Sequence, residues 1–222
     1  MIRFEQVSKT YHIRKFEKQV LNDVTFTINR GDSIGVCGAN GAGKSTLMRL
    51  IAGVEKATTG KVTRSLTTSW PIGYSSCFQS SLTGADNARF IARIYGQEAN
   101  GLFDYVEDFA QLGAYFHQPI KTYSAGMQAR LAFGISLAIN FECYLVDEVT
   151  AAGDERFRQR CHDALVHRRN TGTLVMISHD PHTLREYCDR GAVVHGGGVQ
   201  LFPTVEEAID VHHHLQQQLA SA

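Results

Sequence analysis

Apolar and polar residues alternate near the start of the chain. Residues 2–7 and 24–28 both show this pattern, which predicts strands that each bury one face. Residues 33–37 form a nearly continuous apolar run, as expected of a strand buried on both faces. Residues 46–52 then place apolar side chains at helical spacing, and Gly53 is the residue type that commonly ends a helix. The first part of the chain is therefore predicted to form strands followed by a helix.

The middle of the chain is predicted to be mostly helical. Residues 87–95, 102–112 and 125–138 each place apolar side chains at helical spacing. After them, residues 144–146 and 174–177 are short apolar runs that predict buried strands. Polar residues follow each of these two strands.

The chain as a whole is predicted to be an α/β protein. Residues 192–194 and 199–201 predict a late hairpin, and 205–219 predict a closing helix. Strands that alternate with helices indicate a parallel core. We expect one domain over 1–222, with a helical subdomain inserted at roughly 80–140. Ligands of open α/β sheets bind at the carboxyl ends of the strands, which is where the polar residues fall.

Composition limits the possible functions. The 22 Lys and Arg residues balance the 22 Asp and Glu residues, which argues against a broad nucleic-acid surface. No run of about 18 apolar residues occurs, so a role at a membrane would need another polypeptide to cross it. The five cysteines are odd in number and have no C-x-x-C spacing, so we expect reduced thiols rather than disulfides or a zinc site.

A glycine-rich segment between the third predicted strand and the first helix matches the pattern G-x-x-x-x-G-K-[ST]. Its glycines let backbone N–H groups turn toward a phosphate, and the helix N-terminus adds a partial positive charge. Lys44 can reach the outer phosphates, and the Ser45 hydroxyl can bind Mg²⁺. A glycine-rich turn with a chance lysine is the alternative, which the flanking strand and helix disfavour. The predicted nucleotide-binding residues are Gly38, Ala39, Asn40, Gly41, Ala42, Gly43, Lys44, Ser45 and Thr46.

A buried strand ends in two acidic residues, Asp147 and Glu148. We expect Asp147 to hold Mg²⁺ through water and Glu148 to act as the general base on the attacking water. A strand that runs into a solvated acidic turn is the alternative. The phosphate loop makes that alternative less favourable.

A further motif begins 24 residues before Asp147 and reads Tyr123, Ser124, Ala125, Gly126 and Met127. It resembles the signature motif of the ABC ATPases, which usually reads Leu-Ser-Gly-Gly-Gln. The resemblance implies that Ser124 and the N-terminus of the following helix face the γ-phosphate of an ATP held by another subunit. An ordinary serine N-cap is the alternative, and both interpretations can hold together.

The ABC resemblance implies roles for four more residues. Gln79 matches the Q-loop glutamine, which senses Mg²⁺ and the attacking water, and Asp154 matches the D-loop aspartate at the dimer seam. His179 matches the switch histidine that contacts the γ-phosphate, and Tyr11 matches the A-loop aromatic that stacks on adenine. Taken singly, His179 could instead be a structural histidine and Tyr11 a core aromatic.

The same resemblance implies a P-loop NTPase fold. Such a fold has a RecA-like, mostly parallel core, an antiparallel β subdomain and an inserted helical subdomain. The chain departs from the usual family pattern in the signature motif, at Val149, where proline is usual, and in the D-loop, which reads Ala-Ala-Gly-Asp. None of these departures removes a phosphate or metal ligand, so ATP hydrolysis is expected.

The segments around Trp70, Gln79 and Val149 resemble the ATP-binding subunits of bacterial polysaccharide exporters, above all the capsular exporter of Gram-negative bacteria. Relatives that export O-antigen or teichoic acid often have an additional C-terminal domain. Here the chain stops at Ala222 after one helix, which favours the capsule type.

The resemblance to these exporters also implies partners and a location. We expect a homodimer with two ATP molecules at its interface, docked near residues 79–87 on a membrane permease that is itself a dimer. Envelope-spanning capsule export proteins are further expected partners. The expected location is the cytoplasmic face of the inner membrane.

Two other classes of function stay open. A soluble ABC ATPase of DNA repair or translation usually has two ATPase domains or long coiled-coil insertions, and this sequence has neither. A P-loop kinase of small molecules would leave Ser124, Gln79 and His179 without a joint explanation.

Overall fold

The computed structural model describes residues 1–13, 16–72, 78–147 and 154–220. The chain divides into two compact units. The first contains the described residues of 1–71, 141–147 and 168–220, and the second contains those of 72–140 and 154–167. The helical subdomain at roughly 80–140 within a single domain stays a prediction.

Two β-sheets form the framework of the first unit. The antiparallel sheet has the order β2-β1-β4, from β1 (Ile2–Ile13), β2 (Phe16–Ile28) and β4 (Thr59–Arg64). The second sheet has the order β5-β6-β7-β3-β8-β9, from β3 (Ser33–Cys37), β5 (Thr68–Pro71), β6 (Cys143–Asp147), β7 (Thr173–Ile177), β8 (Arg190–His195) and β9 (Gly198–Phe202). All neighbouring strands of this sheet are parallel except β8 and β9. The predicted α/β class with a mainly parallel sheet is confirmed.

Helices are distributed over both units. The first unit contains α1 (Lys44–Ala52), α6 (Pro181–Tyr187) and α7 (Val205–Ala220). The second contains α2 (Gly84–Ile94), α3 (Ala99–Ala110), α4 (Ala125–Ala138), most of α5 (Glu155–Thr171), and short 3₁₀ helices at Gly113–His117 and Ile120–Thr122. None of the helices in the described ranges combines the length and apolarity needed to cross a bilayer.

One hydrophobic core joins the two sheets of the first unit. Phe4 of β1, Ile34 of β3 and Leu47 of α1 are all at most 2% exposed and belong to the same cluster. Each such side chain contributes about 1.5–3 kcal/mol by leaving water. α1 ends where the sequence predicts, because Gly53 adopts the left-handed conformation with φ of 76° and its N–H donates to the carbonyl of Leu50. The core therefore holds the segment that follows β3 against both sheets.

The four cysteines within the described ranges are free and buried, namely Cys37, Cys143, Cys161 and Cys188. Burial raises the pKa of the Cys143 thiol to about 12, and the other three thiols have raised pKa values as well. These thiols are therefore protonated near neutral pH and unreactive.

Several elements were missed or shortened by the sequence analysis. β1 extends well beyond residue 7, where the predicted strand ends. The prediction was too short because register shifts against β2, on both sides of Val7 and after Lys9, interrupt the alternation of side chains. The strands β4 and β5 and the helices α5 and α6 were not predicted. In α5 the buried residues Phe157, Cys161 and Leu165 recur every four positions within a strongly charged segment. That spacing is a helical signal, but it is too sparse to stand out.

Tyr123 and Gly84 fit each other in the second unit. Tyr123 is buried, and its hydroxyl donates to the backbone carbonyl of Tyr115 at 2.7 Å. A Cβ at Gly84 would lie 2.5 Å from that hydroxyl oxygen and 3.0 Å from Cδ2 of Phe116. The absence of a side chain at position 84 is therefore what makes room for tyrosine where the signature motif usually has leucine.

We expect the change Gly84→Ala to destabilise the protein by about 1–3 kcal/mol, since the new methyl group meets the buried Tyr123 hydroxyl. Combining it with Tyr123→Phe should cost less than the sum of the two single changes, because phenylalanine removes the clashing oxygen. Urea unfolding of the three variants measures this coupling. Gly134→Ala in α4 is the matched control, because a Cβ there meets only ordinary contacts at 3.5 Å with Val106 and Phe109 of α3. Strictly additive effects of the two changes would contradict the proposed fit.

Candidate nucleotide-binding site

The strand order of the larger sheet brings three predicted site segments to one edge. β7 lies between β6 and β3, and its residue Ile177 is opposite Asp147 on one side and Val36 on the other. Asp147 is the last residue of β6, the phosphate loop follows β3, and His179 follows β7 by two residues. Because these strands are parallel, their carboxyl ends meet.

A cavity of about 480 Å³ opens at this edge of the first unit. Its volume is in the range of small-molecule sites. The predicted site residues that line it are Tyr11, Asn40, Gly41, Gly43, Lys44, Ser45, Thr46, Asp147 and His179. The lining residues that sequence analysis did not assign are Lys18, Val20 and Ile177. Gly38, Ala39 and Ala42 belong to the same loop but are not part of the cavity wall.

The loop conformation depends on glycine at Gly43. This residue has φ of 112°, and a Cβ there would lie 2.8 Å from Cγ1 of Val20. A side chain would therefore be strained by the backbone and would collide with β2. The N–H of Ala42 donates to the carbonyl of Ala39 at 3.1 Å and closes the turn. The loop consequently delivers the N-terminus of α1 to the cavity.

Lys44 places a buried positive charge at the cavity. The residue is 8% exposed, and its Nζ donates to the carbonyls of Gly38 at 2.6 Å and of Ala39 at 3.1 Å. Burial raises the pKa of the neighbouring Cys37 thiol to about 11, although the charge of Lys44 acts in the opposite direction. The thiol is neutral near pH 7, so it does not cancel the lysine charge.

His212 of α7 lies among basic groups near the loop. Burial lowers the pKa of His212, and the charges of neighbouring basic groups lower it further, namely those of His213, Lys44, His179 and His195. The lowered pKa keeps His212 neutral near pH 7, so this residue adds no positive charge at the cavity. The sequence offered no signal for this, because consecutive histidines on a helix point in different directions and only the fold brings His212 near Lys44.

Two predicted Mg²⁺ ligands, Ser45 and Asp147, line the same cavity. They supply a hydroxyl and a carboxylate oxygen, the kinds of ligand that Mg²⁺ prefers. The residues present thus fit the metal. Glu148, the predicted general base, lies outside the described residues, as does Val149.

In the second unit a buried amide fixes the main chain of Gln79. Asn87, 2% exposed, accepts from the N–H of Gln79 at 2.9 Å and donates to its carbonyl at 3.2 Å. The side chain of Gln79 donates to the hydroxyl of Ser81 at 3.2 Å. From the sequence, Asn87 is predicted to lie in a helix and at the end of the permease-docking segment, with no contact to Gln79 expected. An asparagine on the apolar face of a helix is the signal that could have identified it.

Ser124 is the N-cap of α4. Its hydroxyl accepts from the N–H of Met127 at 3.2 Å, and both Ser124 and Ala125 are exposed, whereas Tyr123 is buried. Gly126 is half-buried in the first turn of α4. The structure therefore contains the serine cap, and the role of this motif across a dimer stays a prediction.

Asp154 directly precedes α5 and is held in place by two contacts. One carboxylate oxygen accepts from the N–H of Phe157 at 2.9 Å, and the other accepts from Arg130 at 2.9 Å. The same arginine lies 4.8 Å from the ring centre of Phe157. The N–H of Phe157 and the charge of Arg130 hold the pKa of Asp154 below its usual value. The exposed carboxylate is therefore ionised near neutral pH.

Comparisons with known proteins agree with this geometry. The sequence model of the family described as "ABC transporter" matches residues 21–151. The capsule polysaccharide export ATP-binding protein CtrD of Neisseria meningitidis is 45% identical over 215 residues, which is 97% of this chain and 100% of that protein. The ATP-binding protein BexA of Haemophilus influenzae is 42% identical over 98% of this chain and 100% of its own length.

A more distant relative and a solved structure extend the comparison. The teichoic acids export ATP-binding protein TagH of Staphylococcus haemolyticus is 35% identical over 85% of this chain and 73% of its own. A dimeric structure of the ATP-binding cassette MJ0796 bound to ADP and phosphate has a TM-score of 0.76, covering 92% of this chain and 99% of that one, at 21% identity. At that identity the likeness shows the fold, and the predicted P-loop fold of such cassettes is confirmed.

Proposed function

This chain belongs to the ABC transporter family of ATPases, and from that membership we propose that it powers the export of capsular polysaccharide through a separate permease. The observation that supports this cargo is the 45% identity to a capsule exporter subunit over nearly the whole length of both chains. The transported molecule is a lipid-linked glycan, and the chain itself need not touch it. Its two compact units act as one ATPase domain.

ATP binds in the cavity of the first unit. Its phosphates lie against the loop from Gly38 to Ser45, where Lys44 and the N-terminus of α1 provide positive charge. Its adenine stacks on the ring of Tyr11. The cavity supports this assignment because it places Tyr11, Lys44 and Ser45 around one space.

Hydrolysis uses residues at the carboxyl ends of β6 and β7. Ser45, Asp147 and Gln79 would hold Mg²⁺, which would supply positive charge against the phosphates. Glu148 takes a proton from the attacking water, and His179 contacts the γ-phosphate. The position of Asp147 and His179 on the wall of one cavity supports these roles.

The active form is a homodimer with two ATP molecules at its interface. Each copy contributes its signature motif, Tyr123 to Met127, to the nucleotide held by the other copy, and Asp154 lies at the seam. The exposed N-terminus of α4 at Ser124 supports this arrangement, since the partial positive charge of a helix N-terminus suits an anion. Closure of the interface on ATP and its release after hydrolysis drive the permease.

The permease docks on the segment that begins at Gln79 and continues into α2. Phe90 and Ile94 are 55% and 58% exposed, and a spacing of four places them on the same helix face. Leu82, 40% exposed, precedes this helix. Exposed apolar side chains on one face are typical of a protein interface. The complex lies at the cytoplasmic face of the inner membrane and works with envelope-spanning capsule export proteins.

We expect the double change Phe90→Ser with Ile94→Ser to abolish capsule at the cell surface in a strain that lacks the wild-type gene. ATP binding should be unchanged, because α2 is outside the cavity wall. Immunological staining of intact and permeabilised cells separates exported from retained glycan. Phe16→Ser is the matched control, since Phe16 is 62% exposed in the first unit. Normal export by the double variant would contradict the docking site, and normal capsule in the deletion strain would contradict the cargo.

Teichoic acid export is the second candidate cargo. It is supported by the 35% identity to the TagH exporter subunit, a lower value than for the capsule relatives. Chemical analysis of the glycan retained inside the deletion strain distinguishes the two cargoes.

A further inference from the structure

We propose that Glu55 is a positioning residue that holds the ring of Tyr11 in the orientation needed to stack on adenine, through its hydrogen bond to the Tyr11 hydroxyl. The inference rests on the proposed ATP-binding function and extends it to a residue outside the nucleotide-binding motifs. Glu55 follows the end of α1, and Tyr11 lines the cavity.

The Tyr11 hydroxyl is fixed by three groups. It donates to Oε2 of Glu55 at 2.8 Å, accepts from the guanidinium of Arg49 at 3.0 Å, and lies 3.2 Å from Oγ1 of Thr46. Arg49 also donates to the same Glu55 oxygen at 3.0 Å. A hydroxyl with one proton and two lone pairs is thereby fully engaged. The ring has little freedom to rotate away from the cavity.

Lys9 contacts the other carboxylate oxygen of Glu55. Its Nζ lies 3.1 Å from Oε1 of Glu55, donates to the carbonyl of Lys56 at 2.9 Å, and is 5.0 Å from the centre of the Tyr11 ring. Burial alone would raise the pKa of Glu55, but the hydrogen bonds from Arg49, Tyr11 and Lys9 outweigh it and hold the pKa below its usual value. Glu55 is thus an anionic acceptor at neutral pH that binds all three partners at once.

The cluster also links the adenine and phosphate positions. Thr46 and Arg49 belong to α1, the helix whose first residue is Lys44. Tyr11 instead belongs to β1, next to the register shifts that make this part of the strand irregular. An irregular strand does not by itself place a side chain accurately. The contacts of Glu55 and Thr46 with the Tyr11 hydroxyl therefore set the distance between the ring and the phosphate loop.

ATP affinity is higher when the Tyr11 ring is already ordered before ATP binds. A tyrosine that must be immobilised on binding loses side-chain entropy that a fixed tyrosine has already lost. We therefore expect Glu55→Gln to raise the dissociation constant for ATP about three- to tenfold. Tyr11→Phe, which keeps the ring but loses its hydroxyl, should have the same effect.

The test compares ATP with inorganic tripolyphosphate, which has no base, by titration calorimetry on the full chain. Glu55→Gln should weaken ATP binding and leave tripolyphosphate binding unchanged, and it should have no further effect on ATP binding in a Tyr11→Ala background. Glu206→Gln is the control, because Glu206 is also paired with an arginine, Arg185, and neither residue lines the cavity. Equal weakening for both ligands, or a persisting effect in the Tyr11→Ala background, would overturn the positioning role. Wild-type protein that binds neither ligand would instead refute the proposed ATP site itself.

Discussion

The change Glu148→Gln should stop turnover while leaving ATP binding intact. Glutamine has the size of glutamate, but its amide cannot accept the proton of the attacking water. A positioned general base contributes roughly 10²–10⁴-fold in rate, so we expect phosphate release to fall by at least about 10²-fold. Glu148 directly follows Asp147, which lines the cavity, and this position motivates the assignment.

A trapped dimer is the second expected property of this variant. If hydrolysis is what opens the interface, ATP that is bound but not hydrolysed should keep two copies together. Sedimentation with ATP and Mg²⁺ should then show a dimer for the variant and a smaller dimer fraction for the wild type. Glu107→Gln, a change at a half-exposed position of α3, serves as the control for both measurements. Wild-type rates of phosphate release in Glu148→Gln would refute the general-base assignment.

The change Lys44→Ala should act on binding instead. Hydrogen bonds from a charged donor are worth about 1.5–3 kcal/mol, and we propose that the lysine contacts the outer phosphates, so we expect ATP affinity to fall on the order of 10²-fold. The change also removes the bonds from Nζ to the carbonyls of Gly38 and Ala39, which hold the loop in shape. Both effects weaken the binding of phosphates.

Tripolyphosphate, which has no base, separates an effect on phosphate binding from an effect on adenine binding. Lys44→Ala should weaken the binding of ATP and tripolyphosphate alike, whereas a change at Glu55 should affect only the ligand with a base. Calorimetry with both ligands measures the difference, and Lys61→Ala, an exposed lysine on β4, is the control. Unchanged tripolyphosphate affinity in Lys44→Ala would show that the loop is not the phosphate site.

Features built from neighbouring residues could be predicted from the sequence. The strand Ser33–Cys37, the helix Ala125–Ala138 with its cap at Ser124, and the loop ending at Lys44 were all located by local patterns. Each depends on interactions within a few residues, such as a left-handed glycine, a serine hydroxyl on an N–H three residues later, or a continuous apolar run. Such interactions can be predicted because the residues that make them are close together in the sequence.

Irregular and highly charged elements were harder to predict from the sequence. β1 was cut short because its bulges break the alternation, and α5 was missed because three buried residues are few among many charges. In both cases packing against the rest of the fold outweighs the local pattern.

The sequence by itself thus determined the phosphate loop, the α/β class and the motifs of an ABC ATPase. Only the tertiary structure decided that Tyr11, Lys44, Asp147 and His179 line one cavity. Strand order and register did so, since β7 pairs with both β6 and β3 and joins segments that lie far apart in the chain. The contacts of Glu55 with Tyr11 and of Tyr123 with Gly84 likewise join separate elements. A local pattern cannot encode such pairs, because each depends on how one element packs against another.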